Sequence, residues 1–432
     1  MLVQKNITTS TKNILIRIIP IVAIEIYLAA TVLLFIYGPS IYNLINPEKF
    51  YTFIISAQVA LLIGYLTSVF STPKAGVIYI NPQTVILLGS VVEILLFIPT
   101  LHARTGEFFP NLINAISDPG AAYNHSQMYR HNNQSFVEYI LVFLGPLIVS
   151  TLPLTVFYWK NLTNIVQVLS TFAIFSRAAL YIGTGTNKAL ADFLIIVPVM
   201  LYLASRSDAA NLKTVKTYLK ILILIIASII FFSFFTSTQT TRQGATLAQE
   251  RFEVPAAQSE LINKFIDRLP DQISKGFYAI AFYLTHGYYA VYLALDLPFE
   301  STYGFGNSMF LSRQIDRIAP FLNISEQTYP FRLEPYGWNG FVNWSTIYCW
   351  IASDVSFPGT ILVVFLIGRL LAQSWVESLI TPNPITIAMF SQLVIMLAYF
   401  SANNQCLQTG DGFGAFWLTL LAWKAPRGFL RI

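Results

Sequence analysis

The chain has 432 residues, 55% of them apolar and only 11% charged, with a net charge of +5 and a mean hydropathy of +0.59. Soluble domains carry roughly 25% charged residues, so the composition excludes a soluble fold and selects an integral membrane protein. The basic balance does not point to nucleic acid: membrane proteins gather Lys and Arg in cytoplasmic loops, and no basic stretch is interleaved with a base-stacking pattern.

A membrane-spanning helix needs about 20 mostly apolar residues. That ruler predicts spans over Ile18–Tyr37, Tyr51–Phe70, Gln83–Leu101, Phe136–Tyr158, Leu162–Ile182, Lys188–Ala204 and Leu219–Ser237. A long polar insert follows, and then Phe357–Ala372, Ile385–Phe400 and a short Phe413–Trp423. The expected fold class is therefore an all-α integral membrane protein of about ten transmembrane helices. It divides into an N-terminal bundle over residues 1–238 with an external loop at 102–135, a large loop of short helices and turns over 239–343, and a C-terminal bundle over 344–432.

Basic residues in short loops set orientation. Lys5, Lys12 and Arg17, then Lys74, Lys160, and Arg206 with Lys213 and Lys216 fall on alternate connections. Lys424, Arg427 and Arg431 close the pattern at the C-terminus. Both termini are expected on the cytoplasmic side of the membrane, with the large insert outside. Phe277–Leu297 is apolar enough to be an eleventh span, yet it holds His286 and five tyrosines. Histidine is costly in hydrocarbon and tyrosine prefers the interface, so this stretch reads as a helix lying on or dipping into the outer leaflet. Gly304, Gly306, Gly337 and Gly340, with four prolines, predict an irregular insert, and a structured loop of this length is usually functional.

Six residues stand out as candidates. A neutral imidazole at His286 could take a proton from a sugar hydroxyl near pH 7, or be an interfacial histidine bonded to backbone. Arg177, inside the fifth span, could hold a phosphate in its bidentate fork, or snorkel to the headgroups. Arg242, Arg313 and Arg332 are cations at the membrane surface or in the insert. Asp354, before the eighth span, could orient a histidine or bind a sugar, or cap a helix starting near Phe357. Glu25, Glu93 and Asp192 lie within spans and are scattered along the chain, a weak signal for an ion path. His102, Arg104, His125, Arg130 and His131 read as surface residues that touch glycan. Cys349 and Cys406 lack metal-ligand spacing, so neither a metal nor a cofactor is expected.

Ser176-Arg177, Thr285-His286-Gly287-Tyr288, Tyr303 to Ser308, and Thr346 through Asp354 to Gly359, set in this topology, resemble the O-antigen or oligosaccharide repeat-unit polymerases of bacterial surface polysaccharide assembly. The related O-antigen ligases are similar in order, with Arg177, Arg242 and His286 matching two arginines and a histidine. The chain departs from the ligases in having Gly287, not asparagine, after the histidine. The polymerases' spaced arginine–glycine motif is matched only by Arg104 and Gly120, a pairing that chance supplies in a chain with 14 arginines.

The resemblance implies glycosyl transfer without a nucleotide sugar, from a glycan on undecaprenyl pyrophosphate to a lipid-linked repeat unit. It implies arginines on the pyrophosphate, His286 as base, and a chain-length regulator and flippase as partners in the bilayer. The alternatives are an O-antigen ligase, a lipid-linked oligosaccharide flippase or other transporter, and a phosphate-sugar glycosyltransferase. The last would want an acidic pair in the first external loop, where only Glu48 stands.

Overall fold

The computed structural model describes residues 2–71, 80–132, 135–207, 217–243, 256–258, 264, 266, 268–340 and 343–425; side chains are placed for all of these except 2–13, 41, 131–132, 217–223, 242–243 and 256–258. Among them, eight helices are long and apolar enough to cross a membrane. These are α1 (Leu2–Tyr37), from Ile14 onward, α2 (Glu48–Leu66) and α3 (Pro82–Thr105). After the short α4 (Leu112–Ser117) and α5 (Pro119–Asn132) come α6 (Val137–Tyr158), α7 (Asn164–Gly183), α8 (Lys188–Arg206) and α9 (Thr217–Gln243). The insert contributes α10 (Asp271–Ala294), α11 (Met309–Ile318), α12 (Ile324–Gln327) and α13 (Tyr329–Arg332), and the eighth span-length helix is α14 (Ile347–Ile380). The predicted ninth and tenth segments form α15 (Pro384–Ala398) and α16 (Gly410–Lys424), 15 residues each. Among the described residues the protein is an all-α membrane protein apart from one small pairing: β1 (Ser40–Tyr42) lies antiparallel to β2 (Ala256–Gln258), tying the start of the insert to the end of α1.

Helices without a hydrophobic drive between them approach through small residues. At the α2–α14 crossing, a Cβ on Gly64 would collide with the Phe365 carbonyl and one on Gly368 with the Leu61 carbonyl. At the α6–α16 crossing, Gly414 and Gly145 stand in the same relation to the carbonyls of Val142 and Asp411.

Two elements depart from the sequence reading. The helix of the eighth span begins at Ile347, ten residues before the predicted Phe357, so Asp354 lies inside it and does not cap it. Pro358 lacks an N–H and would clash with the carbonyl four residues back. The break falls at Ser356, whose φ of 64° and ψ of 169° belong to a region almost reserved for glycine. The second, α10, is not among the helices apolar enough to cross a membrane and departs only from the surface-lying alternative, not from the helix that dips into the leaflet. Its inner face, from Thr285 to Val291, is buried and packs against α1, α2, α9 and α14. Tyr288 meets Phe35 and Phe50 within the same core that holds Tyr348 and Phe400. A helix lying on the leaflet would leave that face in lipid.

Candidate functional site

The C-terminal ends of α3, α7, α9 and α15 and the N-terminal ends of α8, α11 and α16 meet at one end of the bundle. They enclose a cavity of about 530 Å³ with α5 and α10. Among the described residues four cations line it, Arg104, Arg130, Lys188 and Arg313, and no carboxylate does. Five tyrosines (Tyr27, Tyr123, Tyr181, Tyr283 and Tyr399) and Trp344 share the wall with the amides of Gln127, Asn187, Gln239, Gln405 and Gln408. Such a lining suits a ligand with an anionic group and many hydroxyls: guanidiniums take phosphate oxygens, amides bond hydroxyls, and ring faces stack on sugars.

The carboxylates stand behind the wall. Glu138, in the first turn of α6, lies 3.2 Å from Arg104 and 3.8 Å from Arg130. Lys188 binds Asp192 at 2.7 Å, one helical turn on, and the Tyr399 hydroxyl donates to the same carboxylate at 3.3 Å. Arg104, Arg130 and Arg313 against Glu138 leave two positive charges in excess at the outer wall, because Arg313 forms no ion pair among the described residues. Burial and the neighbouring Arg104 lower the pKa of Arg130, with Glu138 opposing them. Burial, then Arg130 and Arg317, lower that of Arg313. Like charges held this close are an arrangement that an anion relieves.

A second cavity of about 400 Å³ abuts the first and shares Lys188, Leu194, Gln405 and Thr409 with it. It is lined mainly by apolar residues of α6, α7 and α8, among them Leu152, Val156, Ile174 and Phe193. Phe175, on its rim, is 68% exposed. Arg177 sits where this cavity becomes polar, paired with Asp411 at 3.1 Å and Glu93 at 3.5 Å and placed over the Tyr181 ring. Glu93 is therefore clustered with Arg177 and Asp411, not scattered, and the i, i+4 partner of Asp192 is Lys188.

The structure separates the six sequence candidates. Arg313 lines the cationic pocket and Arg177 the adjoining cavity. His286 lines neither. Its ring is stacked between Phe282 and Trp338, with centroids 4.3 and 4.4 Å away, and its Nδ1 is 3.0 Å from the Tyr42 hydroxyl. Burial pushes its pKa down to about 3, so it is neutral at pH 7. Gly287 follows it because a Cβ there would press on the Ser401 carbonyl and the Thr346 amide. Asp354 accepts from the Thr302 hydroxyl, the Gly306 amide at 2.8 Å and the Asn307 side chain at 2.7 Å, pinning that turn to α14. Arg332 holds the segment after α10 through the Pro298 carbonyl at 2.9 Å and Glu300 at 2.6 Å. The Arg242 side chain lies outside the described residues; its backbone belongs to the last turn of α9.

Of the cations lining this pocket, the sequence reading placed Arg104 and Arg130 on the surface as residues that touch glycan and did not single out Lys188. Arg104, read as a surface residue, is 4% exposed, because α5 and α6 fold over the end of α3 and supply Glu138. A usable signal was present: Arg104 and Glu138 end one apolar run and begin the next, at the same expected membrane height. Among the described residues, no group of three His, Cys, Asp or Glu side chains is placed to hold a metal. The chain matches no protein-family model, no curated protein and no solved structure.

Proposed function

We propose that the protein is a membrane glycosyltransferase that joins undecaprenyl-pyrophosphate-linked oligosaccharide repeat units into a bacterial surface polysaccharide. One observation carries this reading: a cationic, carboxylate-free pocket rich in amides and aromatic rings opens against an apolar cavity. A lipid-linked glycan has the same three parts, a sugar, a pyrophosphate and a hydrocarbon chain. Arg104, Arg130 and Arg313 neutralise the charge that develops on the pyrophosphate as the anomeric C–O bond breaks and its electron pair moves to the phosphate oxygen. The acceptor hydroxyl attacks the same carbon. Its proton passes to the Tyr399 oxygen as Tyr399 gives its own to Asp192. His286 acts in packing, holding Trp338 and Tyr42 against α10. The pocket end of the bundle faces the periplasm, with about ten spans, both termini in the cytoplasm and the 239–343 insert outside. A flippase and a chain-length regulator work beside it.

A second reading, a transporter of lipid-linked glycans, is favoured by the ion pairs of Arg177 with Glu93 and Asp411 inside the bundle. A ligase would share the architecture and differ in acceptor.

The test is a deletion strain complemented with wild type, Arg313→Gln or Asp192→Asn, read as a polysaccharide ladder on gels. A polymerase leaves single repeats on the deletion strain, a weakened ladder with Arg313→Gln and none with Asp192→Asn. Accumulated long lipid-linked polymer marks a ligase. Lipid-linked repeats trapped on the cytoplasmic side mark a transporter. An intact ladder in the deletion strain sinks the polymerase for that polymer.

A further inference from the structure

A pocket that must bind a pyrophosphate lipid must also let one go, since donor and spent carrier both bear pyrophosphate and the spent carrier has one ionisable oxygen more. Binding both equally well adds nothing to turnover and slows release. The structure contains a group suited to moderating that affinity. Glu138 is 22% exposed at its side chain, and one of its oxygens, Oε1, faces both Arg104 Nε at 3.2 Å and Arg130 Nη2 at 3.8 Å. Its hold on the pair is partial. Among the described residues Arg104 Nη2 is buried without a hydrogen-bond partner, although the residue lines the pocket and its guanidinium lies over the Tyr181 ring. Arg130 is 36% exposed and beyond hydrogen-bond distance of the carboxylate. A residue whose only task was to neutralise a buried arginine would take it in a two-pronged pair; Glu138 shares a single oxygen between two arginines and leaves donors pointing away from it.

We propose that Glu138 is a resident counter-anion that sets the affinity of this pocket, holding Arg104 and Arg130 while the pocket is empty and competing with the incoming phosphate for them. The proposal rests on reading the pocket as a phosphate site. With Glu138 charged, the outer wall carries two positive charges in excess, the charge of a pyrophosphate diester. Without it the excess is three, and the spent carrier stays.

The experiment uses the full chain in detergent micelles at low ionic strength, with inorganic pyrophosphate as probe. Affinity and thermal midpoint are read for wild type, Glu138→Gln and Arg313→Gln. Glu138→Gln is expected to bind about tenfold more tightly than wild type, as one like charge within a few ångströms predicts. Its midpoint without ligand falls, because Arg104 loses its counter-charge, and pyrophosphate raises that midpoint by more than it raises the wild type's. A purely structural Glu138 gives the lower midpoint but the same ligand-induced rise and equal or weaker binding, and that result overturns the proposal. Should Glu138→Gln fail to fold, Glu138→Asp keeps the charge and withdraws it by one methylene. Severalfold tighter binding then supports the competition, and unchanged or weaker binding ends it. Failure of the underlying reading looks different: wild type binds no pyrophosphate, or binds it as Arg313→Gln does.

Discussion

Replacing Arg313 by glutamine tests the pocket with little risk to the fold, because its side chain, though crowded by protein around the guanidinium, keeps much of its surface in solvent and forms no ion pair among the described residues. Two unit charges about 5 Å apart at an effective dielectric near 20 interact by about 3 kcal/mol. Solvent at the mouth and the entropy of a long side chain reduce this to about 1–1.5 kcal/mol. The expected result is a pyrophosphate Kd raised roughly five- to tenfold at low salt, with the thermal midpoint of the ligand-free protein within a degree or two of wild type. Raising the salt from about 0.15 M to 1 M shortens the Debye length from about 8 Å to about 3 Å, so the gap between variant and wild type should close. Titration calorimetry or a thermal-shift titration across salt measures both. Equal affinities at low salt would refute the assignment of Arg313 to an anion site, and a gap indifferent to salt would refute its electrostatic origin.

Further outcomes follow from the packing. Ser356→Gly should stabilise the protein by about 1 kcal/mol, against the usual sign for a helix glycine, because the break in α14 places residue 356 at φ 64°; an unchanged or lower midpoint removes the strain argument. Asp411→Leu should cost about 3–5 kcal/mol or abolish expression, since Arg177 would keep only Glu93, at 3.5 Å; a folded variant at wild-type yield would show the cluster to be dispensable. Gly414→Val should drive α16 off the Val142 carbonyl, whereas Gly304→Ala, with nothing near its Cβ, should cost only about 1 kcal/mol for its φ of 86°; equal losses at the two positions would contradict the close-approach account. Burial holds His286 near pKa 3 in the fold against 6.5 when unfolded. The unfolded chain thus binds more protons between these values, so stability present above pH 6.5 is lost as the pH falls toward 3, by at most about 1.4 kcal/mol per pH unit. His286→Phe should flatten the decline of the midpoint between pH 6.5 and 5 while leaving the polysaccharide ladder in place; an unaltered decline, or a missing ladder with a well-folded variant, would return His286 to the chemistry.

The sequence by itself determined the membrane class and the positions of the apolar helices, because burying some 20 residues of backbone in hydrocarbon demands a continuous apolar helix, a local property of the chain. It also marked two of the four arginines that lie at the cavities, Arg177 by its cost inside a span and Arg313 by its place in the insert. What it could not supply were relations between distant segments. Arg104 and Glu138 are 34 positions apart, Arg177 and Asp411 234, and Tyr42 and His286 244. Contact adds what spacing could not: the arginine read as a surface residue is a buried pocket wall, and the candidate base His286 lies between Phe282 and Trp338. The ends of seven helices had to be gathered before four cations faced one cavity with no carboxylate among its described residues. That arrangement is a product of helix packing, set close where α16 meets α6 through Gly145 and Gly414, and only the tertiary structure decides it.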